Sequence, residues 1–281
     1  MDTSRDADVV PIIKRARGFR LYDARGGRYL DLYRDGGGAL LGHRSGTTIT
    51  LMKSVLSQGL LTAVPSVWEG RLIRVIASMF PARSNVRLFS SLPRALEAVS
   101  LFLGMRVDPS DVHDPAIHTV PRGRPRACFW RPFLPEEESG AAACAAVLPI
   151  LPLTVCGAPA PVCFPDGPSA GLPASDRLPG FVLAGASSAL AAVRSPRRVG
   201  HLFQGDPVIQ RAVDSSSRWA RTGPYVRAVF APGEYSRVFA EFLRAGVLLS
   251  PEYPGPSILP GECSPGEARR AAELFITIPG G

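Results

Sequence analysis

Lysine is almost missing from this chain of 281 residues: Lys14 and Lys53 stand alone among 32 basic residues, and none follows position 53. No lysine amine can therefore serve chemistry in the rest of the chain. Long apolar runs are missing too. No stretch reaches the roughly 18 residues of a membrane-spanning helix, and residues 1–17 lack the apolar core of a signal peptide, so the chain is expected in the cytoplasm and off the membrane. The five cysteines (Cys128, Cys144, Cys156, Cys163 and Cys263) show no C-x-x-C spacing and no neighbouring histidine pair. That excludes a recognisable zinc site or disulfide framework, and buried free thiols are expected. Acidic residues number 24, which leaves a net charge of +8. Tight basic groups occur only at RGRPR (122–126) and RSPRR (194–198), and such scatter argues against a nucleic-acid partner.

What is present suits a globular protein. Hydrophobic residues are 46% and charged residues 20%, and the length allows one large domain with a smaller one attached. The clearest stretch is Val86–Val99. An alternating, partly β-branched run enters Ser90-Ser91, and after Pro93 the spacing of Leu96, Val99 and Phe102 predicts a helix. A strand that turns through serines into a helix N-terminus offers unpaired amides to an anion. Here Leu92 adds bulk, Pro93 lacks an N–H, and Arg94 is expected to face solvent, since a cation is mildly unfavourable at that helix end.

Elsewhere, residues 18–33 predict a β-hairpin around Asp23–Gly27, with glycines supplying positive φ. Helices are expected over 47–59, around Leu72–Met79, over 208–220, over 235–246 and after Ser264. Residues 108–126 read as an exposed loop, in which His113, His118, Asp108, Asp111 and Asp114 are solvated. Short strands are expected at 127–130 and 141–151, with a strand remnant at 162–166.

The Ser91–Val99 wording, SLPRALEAV, resembles the S-G-T-E-A-x-E-A-A turn of class-III, pyridoxal-phosphate-dependent aminotransferases. The opening G-x-x-L-x-D-x-x-G-x-x-Y-x-D pattern, followed by Leu41-Gly42-His43, is similar to the same family, and glutamate-1-semialdehyde aminomutase is the nearest subgroup. The resemblance covers most of 18–104 and 178–275, and the shortfall lies between 105 and 178. It implies an α/β fold of the pyridoxal-phosphate-dependent transferase type (fold type I), with a reduced mixed sheet flanked by helices and a small α+β C-terminal domain. The implied division is 1–45, an N-terminal segment with the hairpin; 46–214, a large domain; and 215–281, a small one. His43 is then a framework position.

The resemblance also assigns vestigial cofactor positions. Ser91, Leu92 and Pro93 stand at the phosphate turn, and Phe133 stands where an aromatic stacks on the cofactor ring. Leu148 replaces a glutamate, and Asp166 is the candidate partner of the pyridine nitrogen. Leu202 replaces the threonine that reaches a neighbouring subunit's phosphate. Counting back from Pro179, the Schiff-base lysine position is Leu172, so no catalytic residue is assigned. The implied protein is a degenerate, non-catalytic homodimer with a binding or assembly role and no cofactor. The alternative is an atypical aminotransferase or aminomutase.

Overall fold

Strands β4 (Asn85–Phe89), β5 (Val112–His113), β6 (Ala127–Trp130), β7 (Ala146–Pro149) and β8 (Ala160–Phe164) form a sheet in the order β4-β8-β7-β6-β5. The computed structural model describes residues 9–43, 45–118, 125–134, 143–167, 171–195 and 205–277. Pairing is parallel from β5 through β6 to β7, and antiparallel where β8 meets β7 and β4. The sheet is mixed, as the resemblance implies. Helix α1 (Gly46–Ser57) and helix α2 (Val67–Ala77) pack onto a third helix, α4 (Gly180–Val193), while α3 (Leu92–Leu103) covers β4 and β8. Leu96, Val99, Phe89, Leu148 and Phe164 fill the core beneath α3.

Each helix follows from local signals. Helix α1 ends two residues before Gly59, which has φ 81°; α3 closes on Gly104 in the left-handed region. Helix α4, GFVLAGASSALAAV, is buried along most of its length. Its small residues admit α1 closely: a Cβ added at Gly185 would lie 2.7 Å from Met52 Sδ.

Residues 45–195 make one compact unit, and residues 1–44 with 196–281 make the other. In the second unit β1 (Ile13–Arg17), β2 (Arg20–Asp23) and β3 (Arg28–Asp31) are antiparallel neighbours. Strand β11 (Val247–Leu248) adds parallel to β3. The expected hairpin is β2–β3, and Asp23 Oδ1 accepts the Arg25 and Gly27 amides across its turn. Strands β9 (Trp219–Thr222), β10 (Tyr225–Ala228) and β12 (Ser257–Ile258) form a second antiparallel sheet. Three helices complete this unit: α5 (Pro207–Ser215), α6 (Pro232–Arg244) and α7 (Pro265–Thr277). The expected helix over 208–220 stops at Ser215, because Trp219 turns inward in a strand and packs edge-on against Phe230, Phe242 and Phe275. His43 bonds Asp31 Oδ2 at 2.6 Å through Nε2, and its backbone pairs with Gly18. Arg34 is fully buried. It donates to the Leu40 and Leu259 carbonyls and lies over the Phe19 ring, and burial lowers its pKa to about 10.

Two further regions depart from expectation. Residues 109–113 form a 3-10 turn (Pro109–Asp111) and strand β5, with His113 and Asp114 buried. The apolar Val112 pairs with Ala127 on β6, which draws its polar neighbours inside. Among residues 141–151 only Ala146–Pro149 is strand, and residues 141 and 142 lie outside the described ones. Among the described residues no helix is long and apolar enough to cross a membrane.

Glu267 ties α7 to β2. Ser264 and Glu267 exchange capping bonds, and Arg20 grips both carboxylate oxygens at 2.8 and 2.6 Å. The Arg20 hydrogen bonds come first in lowering the Glu267 pKa from 4.5 to about 2, against an opposing push from burial. At about 1.4 kcal/mol per pKa unit the shift amounts to ~3 kcal/mol. This stability is complete above the unfolded carboxylate's pKa and is lost as pH falls through about 2. Glu267→Gln is expected to lower stability at pH 7 by about 2–3 kcal/mol and to flatten the acid limb of Tm against pH. An unchanged acid limb would sink this assignment.

Candidate functional site

Strand direction decides which residues can meet. Because β8 runs against both β4 and β7, strands β4, β5, β6 and β7 all point one way. In open α/β sheets, ligands lie outside the carboxyl ends of such strands. That edge carries Ser90 after β4, Asp114 after β5 and Arg131 after β6. Asp166 follows β8 and falls at the opposite edge, since Phe164 pairs with Asn85, the first residue of β4. A five-residue strand, about 15 Å long, separates Asp166 from the Ser91 turn. There Asp166 Oδ1 accepts the Ser84 amide at 2.7 Å and the Ser84 hydroxyl at 2.6 Å, and these bonds lower its pKa.

At the Ser91 turn the chain supplies its own anion. Asp176 Oδ2 accepts the Ser90 amide at 2.9 Å and the Ser90 hydroxyl at 2.7 Å, and Arg94 Nη2 donates to Asp176 Oδ1 at 3.3 Å. Desolvation pushes the Asp176 pKa up, but the Ser90 and Arg94 bonds outweigh it and hold the carboxyl below its usual range. The neighbouring backbone locks the segment in place: Leu88 N donates to Ser175 Oγ, and Asp176 N donates to Leu88 O. Ser91 is the N-cap of α3 and accepts from Arg94 N at 3.4 Å, with Leu92 exposed and Pro93 in the first turn. Arg94 is exposed, as expected, and it is also paired. It bonds both Asp176 and Glu97, and two carboxylates outweigh the mild repulsion of the helix end.

Further along the edge, Arg131 grips Asp114 bidentately, at 2.7 Å to Oδ1 and 2.6 Å to Oδ2, with both side chains buried. The pair anchors the turn that holds Phe133, whose φ of 69° is uncommon for a bulky residue and whose ring is buried. Leu148 is buried within β7, and Leu172 packs onto the same apolar cluster. Leu202 lies outside the described residues. The structure therefore joins Leu148 and Leu172 in one core, sets Ser91, Leu92 and Pro93 at one turn, and separates Asp166 from that turn. Sequence reading missed Asp176 and Arg131, named Ser90 only as the entry to the turn, and took the buried Asp114 as a solvated loop residue. The one signal for Asp176 was a lone acid in a proline-rich stretch.

Asp114→Ala leaves the Arg131 guanidinium buried without its carboxylate. The expected cost is about 3–5 kcal/mol, read as a fall in the denaturant midpoint. A loss under about 1 kcal/mol would show that the pair does not anchor the turn.

No family model matches the chain. An uncharacterized protein of Treponema pallidum is 30% identical over 292 residues, covering 88% of each chain. A glutamate-1-semialdehyde 2,1-aminomutase of Desulfosudis oleivorans is 33% identical over 94 residues, which is 33% of this chain and 22% of the aminomutase. Among solved structures, an omega-transaminase from Sphaerobacter thermophilus superposes with a TM-score of 0.71 at 12% identity, covering 98% of this chain and 95% of that one. An N-acetylornithine aminotransferase from Stenotrophomonas maltophilia gives 0.65, also at 12% identity, with 97% and 96% covered. At that identity the likeness shows the fold.

These findings overturn the expectation of no cofactor. Another solved neighbour is a transaminase with pyridoxal phosphate bound, and the family's cofactor is pyridoxal phosphate. The expectation went wrong because it equated loss of one lysine with loss of the cofactor. That lysine supplies only the covalent link, and phosphate and ring contacts are separate interactions. The residues present do not fit covalent attachment. Leu172 is packed in the apolar cluster, and the sequence has no lysine beyond Lys53, itself exposed on α1. The donors of Ser90 and Arg94 are also already engaged by Asp176. The chain thus has the mixed α/β fold of the pyridoxal-phosphate-dependent aminotransferases and, over 33% of its length, a sequence similar to that family's glutamate-1-semialdehyde aminomutases.

Proposed function

We propose that the chain is a non-catalytic member of this family, a homodimer with a binding or assembly role. The observation that carries the reading is the Asp176 carboxylate bonded to Ser90 and Arg94. A turn suited to an external anion is here engaged by an internal one. The chemistry of the family's named enzymes draws on a lysine amine to hold the cofactor and move protons, and the residue at that position is Leu172. Pyridoxal phosphate would be held by this chain without a covalent bond to that position.

The direct test is turnover. Purified chain, incubated with pyridoxal phosphate, an amino donor and an α-keto acid, is expected to form no product above the cofactor alone. Enzyme-dependent product formation, abolished by heat, would establish the atypical aminotransferase instead.

Self-association is supported by apolar side chains left open on the unit of residues 45–195. Leu61, Val67 and Leu101 are 57%, 67% and 67% exposed, apolar surface that a partner chain could cover. Light scattering at micromolar concentration should give about twice the 30.0 kDa chain mass. A mass of one chain would refute the dimer and leave the turnover result standing.

A further inference from the structure

A cleft of about 450 Å³ opens in the unit of residues 1–44 and 196–281, where the start of β3 meets the link from α6 to β11. Its volume falls in the ~300–1,000 Å³ range of small-molecule sites. The side chains that give it character are Arg28, Arg244 and Arg270, and no carboxylate lines it. Gly246 forms part of its wall at φ 79°; a Cβ there would stand 3.1 Å from Arg28 O and 3.5 Å from Arg270 Nη1. Only glycine keeps this wall open without strain.

The arginines are poorly compensated. Arg28 Nε lies 3.6 Å from Glu267 Oε1, but both oxygens of Glu267 are already held by Arg20. Among the described residues Arg270 donates only to the Ala245 carbonyl, at 3.4 Å, and Arg244 has no carboxylate partner. Among the described acids, Asp23 is engaged by Tyr29 and the hairpin amides, and Glu241 and Glu273, one helical turn from Arg244 and Arg270, do not line the cleft. The C-terminus of α6 lies at the same region, and there Glu241 O accepts from Ala245 N and Leu243 O from Gly246 N, while beyond the helix Gly246 O accepts from Leu30 N. The charged side chains that line the cleft are all positive. Guanidinium forks match oxyanions bidentately, and several around one concavity select for charge greater than one.

We propose that this cleft binds a small multivalent oxyanion, a phosphorylated or polycarboxylate metabolite. The site is independent of the reading of the Ser91 turn and of turnover.

The test is calorimetric titration of the full chain with inorganic pyrophosphate and, separately, with citrate, at fixed ionic strength against sodium chloride. One-to-one binding of either probe is expected. Pyrophosphate alone would identify the phosphorylated source, and citrate alone the polycarboxylate. Arg244→Gln and Arg270→Gln should each weaken binding at least tenfold, and the double variant should abolish it. Arg106→Gln, on the other unit and 85% exposed, should leave it unchanged. Circular dichroism of the double variant without ligand should match the parent, since both arginines are exposed. Failure of both probes to bind above chloride, or binding that survives the double variant, overturns the proposal.

Discussion

The direction of a single strand governs what the unit of residues 45–195 can do. Strand β8 enters the sheet between β4 and β7 and runs against both. Turning that one strand aligns the other four, gathers the ends of β4, β5 and β6 on one edge, and sends the segment after β8 to the other. Asp166 is thereby removed from the Ser91 turn whatever its chemistry. The segment that does return to the turn, residues 175 and 176, arrives only after the chain has crossed back toward the end of β4.

A second theme is how an arginine-rich, lysine-poor chain settles its charge. Asp114 with Arg131, Glu267 with Arg20 and Asp214 with Arg221 are two-pronged pairs in which a planar fork meets a carboxylate. A lysine ammonium is a point donor and does not reproduce that geometry. The buried pair holds its turn in place, whereas Arg94 and Glu97, both half-exposed or more, add little to stability. Arginine serves here as a structural tie as much as a surface charge.

How far the fold was legible depended on whether the signal was local. The β2–β3 hairpin, α1, α3, α6 and α7 carry their own punctuation in turn glycines, N-terminal prolines and an apolar stripe, and each forms close to where it is read. Strand β5 was hidden because Val-His-Asp looks polar by itself; it becomes a strand only through β6 and through Arg131, seventeen positions beyond Asp114. The site was less legible for the same reason. Ser91, Leu92 and Pro93 were found because the turn is contiguous, but their functional neighbour, Asp176, is bonded across 86 positions. Asp166 was chosen by order along the chain, and order along the chain says nothing of which edge a reversed strand leaves from.

The short stretch at Ser175 and Asp176 has one more effect. Strand β4 ends the sheet, and a bare outer strand is a template on which another chain can lay a strand of its own. Here Leu88, the fourth of the strand's five residues, has both its N–H and its C=O committed to Ser175 and Asp176. The sheet cannot be lengthened there by a neighbouring molecule without first peeling the segment away. Whatever contacts this chain makes with its own kind, this margin is guarded against runaway strand-on-strand growth, and the guard is the same segment that brings the carboxylate to the helix.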